Sequence, residues 1–269
     1  MVTDAAAPIG VFDSGLGGLT VVHELRRQLP AERLIYFGDT ARVPYGPKSP
    51  DTVRRYAAEI TEWLIAQGVK AVVVACNTAT AHALPMLRER FPLPVIGVIE
   101  PGARAAVRAS ASGRIGVIGT SGTIASGAYE RAIRALRPGA EVTSRACPLF
   151  VPLVEEGWLD TPATRLVADE YLRPLAELGC DALVLGCTHY PLLKPLIAQV
   201  MGTGVALIDS AEETAAAARE ALRASDLLAP AGGAGGCRFI ASDAPDQFLR
   251  VGQLFLGDAI ERVEKVTLG

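Results

Sequence analysis

Two stretches decide the fold: Ala71-Val-Val-Val-Ala-Cys-Asn-Thr78 and Ala182-Leu-Val-Leu-Gly-Cys-Thr188. Each is an unbroken apolar run that ends in a cysteine followed by hydroxyl or amide side chains. Apolarity without alternation marks a strand covered on both faces of a parallel sheet. A second pair, Ile9-Gly-Val-Phe-Asp-Ser-Gly15 and Ile115-Gly-Val-Ile-Gly-Thr-Ser-Gly122, repeats the likeness in the same order. Ile9 to Ile115 is a step of 106 residues and Cys76 to Cys187 one of 111, so the two matches agree on nearly one spacing. The chain therefore reads as two related α/β halves.

The surrounding sequence fits that layout. Further apolar strands are expected at Leu34-Ile-Tyr-Phe37, Val95-Ile-Gly-Val98 and Ala206-Leu-Ile208, with a fainter one over Arg238 to Ile240. Helices lie between them. Ser49-Pro50 supplies a cap and a proline at the first helical position, Val53, Tyr56, Ala57, Ile60 and Leu64 follow one face, and Gly68 stops the run. Thr161-Pro162 starts another helix, which Pro174 is placed to kink and Gly179 ends. Alternating strands and helices imply right-handed βαβ units, hence two pseudo-symmetric, doubly wound α/β domains with mostly parallel sheets. The first is expected over 1–99 plus 207–269, the second over 100–206. The glycine-rich Ala229 to Gly236 stretch reads as a flexible surface loop.

Composition narrows the function. With 26 Lys plus Arg against 29 Asp plus Glu among 269 residues, the net charge is −3, which lacks the basic excess of a nucleic-acid binder. Half the residues are hydrophobic and a fifth charged, the range of a globular enzyme. Aromatics make up only 6%, so the core is expected to be aliphatic. No stretch approaches the ~18 apolar residues of a membrane span, and Met1 to Pro8 carries no export signal. A cytoplasmic location with reduced thiols is expected. The five cysteines show no CxxC spacing, so no metal site is expected.

Cys76 and Cys187 carry the chemistry. Ligands of open α/β sheets sit outside the carboxyl ends of the strands, where both thiols should point. Each precedes an expected helix, whose N-terminal N–H groups should lower the thiol pKa below about 8.5. A lone cysteine is more often a small buried hydrophobe, but two at matching places in a repeat favour function. One thiol can take a proton from a carbon while the other delivers one to its opposite face, inverting a stereocentre.

Other residues surround them. Asp13-Ser14-Gly15-Leu-Gly17-Gly18 opens a helix with free N–H groups suited to a carboxylate, and lacks the dinucleotide fingerprint. Asn77-Thr78 and Thr188-His189 accompany the cysteines and suit an amino acid's charged ends. His189 is placed to move protons beside Cys187. Tyr45-Gly46, in the Val43-Pro-Tyr-Gly-Pro47 loop, should edge the crevice, and Glu155 is within possible reach of it. His23 and His82 read as structural or surface residues, Cys180 and Cys237 as packing.

The motifs Phe12-Asp-Ser-Gly-Leu-Gly-Gly-Leu-Thr20, Tyr36-Phe-Gly-Asp-Thr40, Val43-Pro-Tyr-Gly46, Ala75-Cys-Asn-Thr-Ala79, Cys147-Pro-Leu-Phe-Val-Pro-Leu-Val-Glu155 and Leu185-Gly-Cys-Thr-His-Tyr-Pro191 together resemble those of the glutamate racemases. The resemblance spans nearly the whole chain and meets no departure at a motif position. It implies a cofactor-independent isomerase that interconverts L- and D-glutamate by two-base proton transfer and supplies D-glutamate for peptidoglycan. It also implies a substrate cleft between the domains, with Cys76 acting on the D-enantiomer and Cys187 on the L-enantiomer. Asp13 and His189 would assist their respective thiols, with Glu155 contributing. Asp13, Ser14, Tyr45, Gly46, Asn77, Thr78, Thr188 and His189 would bind glutamate. Family members are often dimers, so a homodimer is an expected partner, with no nucleic acid or membrane.

Three other readings compete. An aspartate racemase of the same superfamily typically carries Glu after the second Cys-Thr, where this chain has His189. A hydrolase using only Cys187 with His189 would not need Cys76. A non-catalytic amino-acid-binding module would leave the α-proton in place.

Overall fold

A computed structural model describes residues 4–256 and 260–268; Met1–Thr3, where the reading of the N-terminus begins, lie outside the described residues. The chain forms two compact units, one reaching as far as Val98 and resuming from Ala211, the other Ile99–Ser210.

The first unit begins with β1 (Ile9–Asp13), α1 (Leu19–Gln28), β2 (Arg33–Gly38), α2 (Pro50–Ala66), β3 (Ala71–Val74), α3 (Asn77–Arg90) and β4 (Val95–Gly97). The second contains α4 (Ile99–Ala109), β5 (Arg114–Gly119), α5 (Ser121–Ala125), α6 (Ala128–Leu136), β6 (Glu141–Ala146), α7 (Phe150–Glu155), α8 (Pro162–Glu177), β7 (Ala182–Gly186), α9 (Lys194–Met201) and β8 (Ala206–Asp209). The chain then completes the first unit with α10 (Ser210–Ala224), β9 (Gly236–Ala241), α11 (Pro245–Leu256) and β10 (Val263–Lys265).

Both sheets are parallel at every recorded pairing. The first runs β10-β9-β2-β1-β3-β4 and the second β6-β5-β7-β8. The segment β2-β1-β3-β4 thus has its topological match in β6-β5-β7-β8. Register agrees with the sequence repeat, because Ile9 pairs with Ala71 in one sheet and Ile115 with Ala182 in the other. Central strands β1, β3 and β7 are buried at every position, which is why their sequences show no alternation.

Local signals act as their chemistry requires. Ser49 Oγ accepts from Thr52 N–H ahead of Pro50, and Thr161 Oγ1 accepts from Thr164 N–H ahead of Pro162. Gly68 and Gly179 follow α2 and α8 at φ +79° and +67°, the left-handed region where glycine pays no Cβ penalty. Pro174 lies inside the continuous α8.

The structure moves one boundary and adds a strand the sequence did not show. The first unit resumes at 211 rather than 207, because Ala206–Asp209 pairs with β7 as an edge strand of the second sheet. Strand β6, Glu-Val-Thr-Ser-Arg-Ala, is polar and only partly buried, so hydropathy hides it. The 229–236 loop is exposed over most of its length but pressed onto the chain at one point. A Cβ on Gly235 would lie 2.1 Å from the Pro30 carbonyl oxygen.

Candidate active site

In strand order 2-1-3-4 the winding direction reverses between β1 and β3, and in the second sheet between β5 and β7. Ligand crevices of doubly wound sheets open at this reversal, beyond the carboxyl ends of the strands. Asp13 ends β1 and Cys76 follows β3 by two residues; Gly119 ends β5 and Cys187 directly follows β7. Each sheet therefore brings one cysteine to its switch point.

In the first unit Cys76 is 5% exposed and caps α3, its Sγ accepting from Ala79 N–H at 3.4 Å. The thiol lies 3.7 Å from Ser14 Oγ. Asp13 is buried, and its Oδ2 accepts from Gly15 N–H at 3.0 Å. Close packing requires Gly18, where an added Cβ would stand 2.6 Å from Asp13 Cβ. Burial, followed by the negative charge of Asp13, pushes the Cys76 thiol up to about 12, against the smaller pull of the Ala79 N–H and Ser14 hydroxyl. The expectation of a lowered pKa is overturned: at this helix start, desolvation outweighs the dipole. Asn77 and Thr78, the first residues of α3, are both buried beside it.

Tyr45 is buried, and its phenol donates to Asp39 just beyond β2. Asp39 also accepts from Arg42 Nε at 2.7 Å and Ser242 Oγ at 2.9 Å. The ring is thereby committed to the core.

In the second unit Cys187 is buried, with His189 Nδ1 3.9 Å from its Sγ. His189 Nε2 lies 3.1 Å from Glu155 Oε1 at the end of α7. Glu155, whose position sequence left open, is thus tied to the histidine, with its side chain one-third exposed. Helix α7 is held by Phe150, whose ring packs edge-on against Tyr190 and Tyr171, while the Tyr190 hydroxyl donates to the Cys147 carbonyl at 2.7 Å. Burial disfavours the His189 imidazolium, but hydrogen bonds to Cys187 and Glu155 outweigh it and push its pKa up to about 10. Cys187 leads into a 3-10 turn, Tyr190–Leu193, rather than the expected α-helix. Thr188 is buried between the two.

The halves are alike in frame and unlike in chemistry. Asp13 has Gly119 as its counterpart, and Thr78 has His189. Each thiol has one titratable neighbour, supplied from a different place.

Elsewhere, His23 is exposed on α1 and His82 half-buried on α3. Cys180 is buried and Cys237 half-buried at the start of β9. Sequence reasoning placed Tyr36 only within a strand and a motif, and did not single out Tyr129. The Tyr129 ring packs where a Cβ on Gly186 would come within 3.1 Å, directly before Cys187. Among the described residues no cluster of three His, Cys, Asp or Glu side chains is arranged to hold a metal, and no helix is long and apolar enough to cross a membrane.

Residues 9–218 match the Asp/Glu/hydantoin racemase family. The chain is 55% identical over 260 residues to a glutamate racemase of Geobacter metallireducens, covering 97% of this chain and 96% of the relative. It is similar to the crystal structure of a glutamate racemase isoform from Bacillus anthracis, with a TM-score of 0.94, 44% identity, and coverage of 97% of this chain and 98% of that one. A Francisella tularensis glutamate racemase in complex with D-glutamate matches with a TM-score of 0.91, 41% identity and 98% coverage of each chain.

Proposed function

Because the chain belongs to the Asp/Glu/hydantoin racemase family, we propose that it interconverts L- and D-glutamate, with both cysteine thiols serving one α-carbon. The observation that carries this reading is the matched placement of two buried thiols, each at the switch point of its own sheet and each beside a titratable group.

With L-glutamate, the Cys187 thiolate takes the α-proton and the electron pair stays on the α-carbon. Cys76 then gives its thiol proton to the opposite face, leaving D-glutamate, a Cys187 thiol and a Cys76 thiolate. The reverse reaction exchanges the two roles. A Cys76 pKa of about 12 suits the donor role, since the sulfur holds its proton at neutral pH. Asp13 is the neighbour placed to share that proton when Cys76 acts as base. His189 does the same for Cys187, its imidazolium held by Glu155.

The α-proton is far less acidic than a thiol, so the carbanion needs help from the site. Buried donors at Asn77, Thr78 and Thr188 and the half-buried Ser14, with the N–H groups opening α3, suit the substrate's carboxylates. The Tyr45-Gly46 backbone belongs to the same binding set. The reaction would supply D-glutamate for peptidoglycan.

Circular dichroism of each purified amino acid, followed with enzyme, tests the assignment. L-Glutamate should lose its signal while aspartate is turned over more slowly, and Cys76→Ala and Cys187→Ala should each abolish racemisation. Faster turnover of aspartate would move the chain to that substrate. A Cys76→Ala variant that racemises glutamate at near wild-type rate would refute the two-thiol reading.

A further inference from the structure

We infer that Tyr36 is a positioning residue for the Cys76 half of the reaction, holding the Asp13 carboxylate through the Gly15 peptide. The inference rests on the glutamate racemase reading above and assigns a role to a residue outside its substrate-binding and proton-transfer set.

Tyr36 lies on β2 with Val11 of β1 as its register partner, and it is fully buried. Its hydroxyl donates to the Gly15 carbonyl at 2.8 Å, while the N–H of the same residue donates to Asp13 Oδ2 at 3.0 Å. One peptide residue is therefore gripped at both ends, by the phenol on one side and the carboxylate on the other. The carbonyl has no room to drift, because a Cβ on Gly38 would stand 2.5 Å from that oxygen. Gly18 closes the assembly from a third side: an added Cβ there would meet Asp13 Cβ at 2.6 Å and the Tyr36 hydroxyl at 2.9 Å. The ring itself is wedged against Phe248 and Phe239, with centroids 5.9 and 6.5 Å away. The phenol stays protonated, its pKa held well above 10 first by burial and then by the Asp13 carboxylate. Tyr36 thus stays a hydrogen-bond donor throughout the working pH range. Removing its hydroxyl frees the Gly15 carbonyl and lets the Asp13 carboxylate leave its alignment with Cys76, without touching substrate or thiol.

A racemase offers a readout that a general loss of packing does not move. Deuterium at the α-carbon of D-glutamate is removed by Cys76, and that of L-glutamate by Cys187. If the Cys76 step alone is slowed, it becomes more rate-limiting in both directions. The isotope effect on kcat/KM then rises for D-[2-²H]glutamate and falls for L-[2-²H]glutamate.

The experiment measures both isotope effects in wild type, Tyr36→Phe and Gly18→Ala. The second variant pushes on Asp13 from the other side, at a backbone conformation (φ −60°) that alanine accepts. For Tyr36→Phe we expect kcat/KM to fall about tenfold in both directions, as loss of one aligning hydrogen bond allows. The thermal midpoint should hold within a few degrees, and the two isotope effects should move oppositely. Gly18→Ala should shift them in the same opposed sense. Isotope effects that change together, or not at all, in variants that stay folded overturn the assignment, as does a Tyr36→Phe variant of unaltered kcat/KM. Should Tyr36→Phe fail to fold, the Gly18→Ala result decides by the same criterion. Wild-type protein that leaves glutamate unracemised refutes instead the function on which the inference rests, and the assignment with it.

Discussion

Replacing His189 by Asn should flatten the pH dependence of folding stability. His189 is 4% exposed, and its pKa is raised from 6.5 to about 10 by the Cys187 and Glu155 contacts, which overcome the cost of burial. Between those two values the folded protein keeps a proton that the unfolded chain has released. The unfolding free energy then falls by about 1.4 kcal/mol for each pH unit over that window. The stabilisation is complete below pH 6.5 and lost as pH rises through 10, and its full extent is on the order of 5 kcal/mol. Urea unfolding midpoints of wild type and His189→Asn, measured at half-unit steps from pH 6 to 10, give the difference directly. Groups remote from His189 affect both proteins alike, so subtraction isolates the histidine together with its direct partners Cys187 and Glu155. The gap between them should close as pH rises. Parallel curves would show that His189 is not an imidazolium in the folded protein, and its role as the Glu155-held proton partner of Cys187 would have to be abandoned.

Lys70 Nζ and Glu32 Oε2 form a wholly buried ion pair 2.5 Å apart, with Glu32 Oε1 also accepting from Ala229 N–H. Lys70→Met should cost about 3–5 kcal/mol by stranding the carboxylate, and Lys70→Met with Glu32→Leu should recover much of it in chemical denaturation. Alkylation of Cys76, followed by peptide mass mapping, should still be climbing at about pH 10.5 in the folded enzyme and level off near about pH 10 in urea, since its folded pKa is about 12. Gly186→Ala should lower both stability and turnover, because its Cβ would stand 2.7 Å from the Ile118 carbonyl directly ahead of Cys187. A plasmid bearing the gene should remove the D-glutamate requirement of an auxotrophic bacterium, and the Cys187→Ala version should not.

The repeat of Ala71–Thr78 in Ala182–Thr188 foretold the parallel sheets, because central strands buried on both faces leave no choice but continuous apolarity. Capping at Ser49 and Thr161, and the glycines at 68 and 179, were legible for the same reason: local geometry admits few residue types there. Polar edge strands were not. Glu141–Ala146 and Val263–Lys265 face solvent in part, and their polar residues carry no period that hydropathy can find. At the site, sequence picked out the two cysteines and their polar neighbours. It could not foresee that burial and Asp13 raise the Cys76 pKa, since a thiol's desolvation depends on what packs over it. Nor could it foresee that Tyr45 turns its phenol onto Asp39, or that Tyr36 grips Gly15. Those contacts join residues on different strands and loops, with no fixed spacing to reveal them.

Two-base inversion makes one demand that can be read in a single turnover. L-Glutamate incubated in D₂O with excess enzyme and quenched early should yield D-glutamate carrying deuterium at Cα, while the remaining L-glutamate stays almost wholly protonated. The incoming hydrogen would then come from a thiol already equilibrated with solvent on the far face. Unlabelled D-glutamate, or label appearing first in recovered L-glutamate, would mean that one group both removes and returns the proton, and the paired-thiol account would fail.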